Sequence, residues 1–351
     1  ENPGLQEFLS LDGNCFFNDT IRNPRIWEEQ KGEKKKNDAT SGVLEHKETA
    51  EELGKKLNKL GDPVSPFYAM VLMDGDQLGK LLQKYPIEVS EALGNFSRKV
   101  PQIVQKNNGI TIYAGGDDVL ALFPLEGAIP AAVELRKAYI EDFQNVNKAL
   151  NETSEEKLQA TISGAIVYTH YTTVFTEVYT EAQRLLSKVA KDETGRDSLA
   201  VTVWKRAGRV VTWSAPWTVV LKEDTDIFTY FVNRFRKDKK KTDSDEEREF
   251  TTSFIYNLQS RLSSFQLDVD SGIETAEQKI DFFTDLITAE YLKSRARKID
   301  HKEARVLIEV LLPLCQCWWR DKNGNIQSKV ESLELSGMFL LKFLLQKGVE
   351  R

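Results

Sequence analysis

The stretch TIYAGGDDVLALFP, residues 111–124, sets two glycines and two aspartates between two apolar runs. Short apolar runs around a glycine-rich turn read as a tight β-hairpin. Such a turn closes more cheaply with Asn-Gly or Asp-Gly, because adjacent carboxylates repel. The pattern therefore points to something positive between Asp117 and Asp118, a metal ion above all.

The neighbouring segments place this hairpin in a recognisable order. FYAMVLM (67–73) is an apolar run of buried-strand type that stops at DGD (74–76), and QLGKLLQKY then begins a helix. After another helical stretch, GITIYA (109–114) and VLALFP (119–124) form the two arms of the hairpin. IPAAVELRKAYIEDFQNVNKAL (129–150) carries the i, i+3, i+4 spacing of an amphipathic helix. LQATISGAIVYT (158–169) is a further strand and TTVFTEVYTEAQRLLSKVAK (172–191) a further helix. SLAVTVW (198–204) and RVVTWS (209–214) close the segment as a hairpin around KRAG. The order β-α-α-β-β-α-β-α-β-β contains a split βαβ core with a central hairpin. This is the ferredoxin-like arrangement of polymerase palms and nucleotide cyclases. It brings the end of the first strand beside the hairpin tip, so that Asp74 and Asp76 face Asp117 and Asp118.

The fold class expected is therefore α+β, a ferredoxin-like palm over residues 66–214 followed by an all-α domain over 215–351. Five stretches in the latter carry helical spacing, from DIFTYFVNRFRK through KEARVLIEVLLPLCQCWWR to SLELSGMFLLKFLLQKG, and read as a bundle of four or five helices. Trp318 and Trp319 are expected in bundle core or at a subunit interface. Residues 1–65 read as a weakly structured segment, with a polar stretch at 28–42 and a short amphipathic helix at 46–61. The charged run RKDKKKTDSDEERE (236–249) reads as a solvated loop.

Composition narrows the function classes. At 351 residues the chain has room for two or three domains. A net charge of −6 argues against uniform coating of nucleic acid while leaving room for basic patches. No apolar run reaches membrane-spanning length, and three cysteines, Cys15, Cys315 and Cys317, fit a reducing cytoplasm. Cys315-Gln316-Cys317 has no second pair to complete a zinc site. The first residue is Glu1, and no charged-then-apolar leader follows, which reads as part of something longer. His46, His170 and His301 show neither ligand nor triad spacing and read as structural.

The chemistry that these residues suit is phosphoryl or nucleotidyl transfer. Two divalent metals about 4 Å apart activate an attacking hydroxyl and stabilise a leaving oxygen. Mg²⁺ takes hard oxygen ligands and keeps several waters, so two or three converging carboxylates hold it. Asp74, Asp117 and Asp118 match that demand, with Asp76 a second-line candidate. Gly115 and Gly116 are expected to allow positive φ and a close phosphate approach. The segment Gly75-Asp76-Gln77-Leu78-Gly79 presents backbone N–H groups at a helix start, and Gly79 leaves room for a triphosphate. Lys191 suits a phosphate contact, and equally a helix C-terminus. Ser163 and Gly164 read either as small residues under a packed helix or as part of the nucleotide cradle.

The ordered motifs FYAMVLMDGDQLGKLL, IYAGGDDVLALFP, TISGAIVYTHY and LLSKVAKDETGRDSLAVTVW resemble the second palm (cyclase) domain of the type III CRISPR effector large subunit. The Cmr-type version of type III-B systems is the most similar. FTTSFIYNLQSRL and the helices around it resemble that subunit's C-terminal helical domain, and LSLDGNCFFND the stretch before its palm. The resemblance implies a cytoplasmic enzyme that joins ATP into cyclic oligoadenylates with Mg²⁺ or Mn²⁺, two ions in all. It implies partners too: the other effector subunits, guide RNA and target RNA, and no membrane. Asp117 and Asp118 would be the metal-binding pair and Asp74 the first-strand ligand, with the backbone after Asp76 on the phosphates. Lys191 would match the lysine that precedes the Gly-Arg step. No HD nuclease motif, four-cysteine zinc site or first palm is present in this sequence. Two alternatives stand beside this reading. A diguanylate cyclase would have a similar hairpin but usually Phe where Val119 stands, and a D-x-D-x-F-K first strand. A catalytically silent palm would serve as a scaffold in an RNA-binding complex.

Overall fold

The computed structural model describes residues 65–150, 160–205, 208–222, 225–241, 252–262, 265, 267, 273–294 and 299–346. The expectations for 1–64, including the helix at 46–61, the polar stretch at 28–42, Cys15 and His46, lie outside these residues. So does the charged run from 242 onward.

Six strands form one sheet in the order β2-β3-β1-β4-β5-β6. They are β1 (Phe67–Asp76), β2 (Ile110–Gly115), β3 (Asp118–Pro124), β4 (Thr161–His170), β5 (Ser198–Lys205) and β6 (Gly208–Pro216). The first four are antiparallel neighbours in the split βαβ order expected from the sequence. Strand β5 is then added parallel to β4, and β6 antiparallel to β5. Strand β4 is buried over Ile162–Thr169, because both faces of the sheet are covered there.

Helices α1 (Leu78–Lys84), α2 (Pro86–Lys106) and α3 (Ala128–Leu150) follow β1 and β3. Alternation along β1 sends Ala69, Val71 and Met73 toward α2 and α3, where Phe96, Val100, Leu135, Tyr139 and Phe143 meet them. Met70 points the other way, into a smaller cluster with Val178, Ala182, Leu185 and Val189. That cluster belongs to α4 (Phe175–Arg184) and to the π-helix Leu185–Glu193 that continues it. The helix expected over 172–191 is therefore α-helical only in its first half. Its second half widens to i→i+5 bonding, which periodicity does not foretell.

The chain beyond β6 is mainly helical, with α5 (Trp217–Val220), α6 (Ile227–Lys241), α7 (Thr252–Leu262), α8 (Ala276–Lys293), α9 (His301–Leu311) and α10 (Ser336–Leu345). It also contains two small antiparallel pairs, β7 (Leu221–Lys222) with β8 (Thr225–Asp226), and β9 (Trp318–Arg320) with β10 (Ile326–Ser328). Trp318 and Trp319 thus lie on a hairpin strand and not in a helix. The helix α9 stops at Leu311, a 3₁₀ turn follows over Leu312–Cys315, and Asp321-Lys322-Asn323-Gly324-Asn325 closes the hairpin. Gly324 sits at φ 84, and Asp321 accepts from the Asn323 and Asn325 N–H groups. Phe67–Arg351 make one compact unit. Phe343 of α10 packs its ring 5.1 Å from that of Phe67 and 5.6 Å from that of Tyr168, joining the last helix to the palm sheet. Among the described residues no helix is long and apolar enough to cross a membrane.

Two outcomes follow from this packing. Phe343→Ala removes the ring that ties α10 to β1 and β4, and should cost about 3–5 kcal/mol, read from the denaturant midpoint. Asp226 is buried, and its carboxylate caps α6 by accepting from the Thr229 N–H at 2.7 Å. Burial raises its pKa above the ordinary value of 3.8, against the pull of those capping bonds. A raised folded-state pKa means that stability is lost as pH rises from about that ordinary value through the folded one. Asp226→Asn keeps the capping oxygen and should flatten this slope in unfolding measured across that range.

Candidate metal and nucleotide site

The site is assembled by register at the C-terminal end of β1, beside the β2–β3 turn. Met73 of β1 pairs with Val119 of β3, so the next residue of β1, Asp74, arrives beside Asp118. Gly115 pairs with Asp118, leaving Gly116 and Asp117 as the two turn residues. Only Gly116, at φ 64, has positive φ, the sign pattern of a type II′ turn with glycine first. Gly115 does not share it, contrary to expectation. A Cβ there would instead run into the hydroxyl of Tyr113.

Asp74, Asp117 and Asp118 each offer a carboxylate oxygen, and these atoms lie within 4.8 Å of one another. Burial pushes the Asp117 pKa up, and the neighbouring charge of Asp118 adds to it. The backbone N–H groups of Asp117 and Gly75 oppose this by donating to the carboxylate. Three hard oxygen donors, half-open to solvent and crowding like charge, fit Mg²⁺ or Mn²⁺ and suit softer metals poorly.

Gly75 makes the approach possible. A Cβ at this position would lie 2.8 Å from Asp117 Oδ2 and 2.6 Å from the Tyr139 hydroxyl. Tyr139 rises from α3 beneath the β1 end, and its buried hydroxyl finds no hydrogen-bond partner among the described residues. Burial and the nearby Asp117 and Asp76 charges hold it firmly protonated.

Asp76 lies on the same face of β1 as Asp74, two residues on, yet stands outside the carboxylate group of three. It is buried and already engaged. Its oxygens accept from Ser163 Oγ (2.9 Å), Thr161 Oγ1 (2.9 Å) and the Asp197 backbone N–H (3.0 Å). Burial raises its pKa against those bonds. Ser163, which pairs with Asp74 in the ladder, therefore supports the site by holding Asp76.

Lys191 enters from the π-helix. Its ammonium pairs with the Asp74 carboxylate, donates to the Gly75 carbonyl at 3.1 Å and stands 4.0 Å from Asp76. Burial and the Arg196 guanidinium pull its pKa down to about 8. Helix α1 begins after Gln77, which takes a left-handed conformation at φ 56, and Leu78 is buried. Around Gly79 a Cβ would meet nothing within 4 Å, so the backbone there is open to a ligand.

Sequence reasoning missed Tyr139, Arg136, Asp197 and Arg320. Tyr139 reads as a core residue on an amphipathic helix, and nothing local marks its hydroxyl. Arg136 and Asp197 meet across 61 positions, with Arg136 Nη2 2.9 Å from Asp197 Oδ1.

A six-stranded palm with three carboxylates at the β1 end and the β2–β3 turn defines a protein of the nucleotide-cyclase and polymerase-palm class. Residues 67–200 match the family described as Cas10/Cmr2, second palm domain. Residues 67–200 are thus similar to a Cas10/Cmr2 second palm, and the resemblance to the Cmr-type large subunit read from the sequence is supported. The CRISPR system Cmr subunit Cmr2 of Pyrococcus furiosus is 26% identical over 246 residues, covering 62% of this chain and 26% of that protein. The chain thus spans about a quarter of the length of this curated relative. Among solved structures, a chain of the type III-B Cmr-beta complex bound to cognate target RNA aligns over 98% of this chain and 49% of its own. It is 12% identical, with a TM-score of 0.46. The adenylyl cyclase CyaB from P. aeruginosa covers 39% of this chain and 76% of its own at 18% identity and a TM-score of 0.30.

Gly75→Ala should press a methyl group between Tyr139 and Asp117 and widen the carboxylate cluster. Mn²⁺ affinity, titrated by electron paramagnetic resonance, is expected to fall at least tenfold, in the range typical of disturbed ligand support. Gly79→Ala, with open space around it, serves as the comparison and should leave Mn²⁺ binding unchanged.

Proposed function

We propose that this chain supplies the cyclase palm of a type III-B CRISPR effector and joins ATP into cyclic oligoadenylates when the complex pairs its guide RNA with a matching target RNA. The observation that carries this reading is the convergence of Asp74, Asp117 and Asp118, with oxygens within 4.8 Å of one another, on a palm of the Cas10/Cmr2 family. A cluster of three such carboxylates is what two-metal nucleotidyl transfer requires.

In the reaction the ribose 3′-oxygen bonds to the α-phosphorus of a second ATP. The bond from that phosphorus to the pyrophosphate oxygen breaks, and the 3′ proton passes to solvent. Asp74, Asp117 and Asp118 would hold a pair of Mg²⁺ or Mn²⁺ ions, which when bound would supply Lewis-acid activation of the hydroxyl and charge neutralisation of the leaving pyrophosphate. Gly115 and Gly116 keep the turn tip low, and the backbone from Gly75 through Asp76, Gln77 and Leu78 to Gly79 lines the triphosphate. The Lys191 ammonium, already at the Gly75 carbonyl, supplies positive charge for a phosphate. Ser163 keeps Asp76 in place beneath this backbone. The partners of this reading are the other effector subunits, guide RNA and target RNA, in the cytoplasm.

The test uses the assembled complex with guide RNA, matching target RNA, Mg²⁺ or Mn²⁺, and radiolabelled ATP or GTP. The native chain should yield cyclic oligoadenylates from ATP alone. Asp117→Ala/Asp118→Ala should lower turnover by about 10²-fold or more, the loss expected when several kcal/mol of transition-state stabilisation disappear. Turnover of GTP in preference would move the reading to a diguanylate-cyclase-like enzyme. Target RNA binding without consumption of either nucleotide would move it to a scaffold.

A further inference from the structure

The π-helix that carries Lys191 runs into a loop whose backbone is unusual. Gly195, Arg196 and Asp197 are consecutive and all have positive φ, at 92, 67 and 43 degrees. Residues with a Cβ populate this region sparsely and stay there only when their surroundings over-determine them. The surroundings here are specific.

Asp197 is held at every polar atom. Its N–H donates to Asp76 Oδ2 at 3.0 Å, and its carbonyl accepts from the Trp217 N–H at 2.9 Å. Its Oδ1 accepts from Arg136 Nη2 at 2.9 Å and Nε at 3.2 Å, and its Oδ2 from Arg320 Nη2 at 3.0 Å. Arg136 comes from α3 of the palm and lies over the Trp217 ring, 5.6 Å from its centroid. Arg320 comes from β9, beyond the palm and 123 positions from Asp197. The Arg320 backbone N–H also donates to the Thr194 carbonyl at 2.9 Å. Gly195 is glycine for a second reason besides its φ, since a Cβ there would lie 2.7 Å from Arg320 Cβ.

The far side of this clamp is the metal site. Asp76, which the Asp197 N–H holds, closes β1 two residues after Asp74 and stands 4.0 Å from the Lys191 ammonium. With its oxygens engaged by Ser163, Thr161 and Asp197, Asp76 stays out of the carboxylate group. Asp74, paired with Lys191, is the β1 carboxylate that joins the group. Without the clamp the loop is free to relax toward negative φ. Its N–H then leaves Asp76, and both Asp74 and Lys191 lose their fixed backdrop.

We propose that Arg320 and Arg136 are positioning residues for this metal site, acting through Asp197 and Asp76. Through Arg320, the β9–β10 hairpin sets how tightly the carboxylates hold their ion and nucleotide. This rests on the nucleotidyl-transfer reading of the site, with metal affinity as a readout independent of turnover. The hairpin is joined to its own neighbours in the chain, with the Lys329 N–H donating to the Cys317 carbonyl at 3.0 Å. Displacement of this segment is therefore passed to Arg320.

The experiment compares the full native chain with Arg320→Ala, Arg320→Lys, Asp197→Asn and Lys322→Ala, the last an exposed residue of the same hairpin turn. Mn²⁺ binding is titrated by electron paramagnetic resonance, and kcat and KM for ATP are measured in the assembled complex. Thermal midpoints are recorded alongside. Arg320→Ala should weaken Mn²⁺ binding by about 10- to 100-fold, the range for residues that orient metal ligands. Arg320→Lys should recover part of the loss, Asp197→Asn should resemble Arg320→Ala, and Lys322→Ala should resemble the native chain. If Arg320→Ala fails to fold, Arg320→Lys and Asp197→Asn decide the matter. Native Mn²⁺ affinity in the folded Asp197→Asn and Arg320→Lys chains would overturn the proposal. A native chain that binds Mn²⁺ in a clamp-dependent way yet turns over no nucleotide would sustain the clamp and reject the synthase. Turnover that is indifferent to the clamp would do the reverse.

Discussion

The structure depends on β1 lying between β3 and β4, antiparallel to both, with Asp74, Gly75 and Asp76 at its C-terminal end paired to β4. A one-residue slip in that register would turn Asp74 and Asp76 to the face packed by α2 and α3 and send Met73 to the face packed by α4 and the π-helix. The slip is opposed because it would drive Asp74 and Asp76 into the core that Ala69, Val71 and Met73 fill against α2 and α3. Core packing thereby aims the carboxylates. Gly75 completes the arrangement, for it alone lets Asp117 and Tyr139 come within contact of the β1 backbone.

Once the register is set, electrostatics at the site follow from the crowding of like charge. Asp74, Asp117 and Asp118 converge, and Asp76 sits just behind them. Lys191 offsets part of this charge. The four carboxylates are nevertheless not equivalent. Asp76 is buried and its oxygens are engaged by Ser163, Thr161 and Asp197, which offset part of the cost of burying it. Asp117 and Asp118 sit on a turn whose own N–H groups and Gly75 supply fewer donors, leaving lone pairs for a cation. Division of labour between a structural and a ligating carboxylate thus comes from burial and donor count, not from residue type.

Elements outside the split βαβ core give the site its support. The π-helix brings Lys191 over β1 and delivers the chain to the positive-φ loop at 195–197. Arg136 and Arg320 hold that loop from opposite parts of the chain. Phe343 and Trp217 bind the later helices to the same sheet, the latter by donating its indole N–H to the Ile162 carbonyl at 2.9 Å. The chain beyond β6 is therefore packed on the palm and in contact with the loop that backs the carboxylate cluster.

Much of this was legible in the sequence. The apolar runs before DGD and around GGDD gave the strands, their order gave the split βαβ core, and the aspartates beside them gave the carboxylates that converge at its end. These are local signals, since a hairpin and its charge pattern lie within a dozen residues. The hairpin of β9 and β10 was also signalled, by Asn323-Gly324, but the apolar spacing of α9 masked it. What the sequence did not carry was everything settled by distant partners. Asp74 and Asp76 are the same residue type two positions apart, and donors 85 to 121 positions on, from Thr161, Ser163 and Asp197, engage Asp76 and set it apart from the carboxylate group of three. The widening of the 172–191 helix into a π-turn, the unpartnered Tyr139 hydroxyl and the Arg320 clamp are likewise decided by packing. Strand identity and charge pattern are properties of neighbours in sequence. Which charges are satisfied, and which remain free to bind, depends on burial and on donors that only the folded chain brings together.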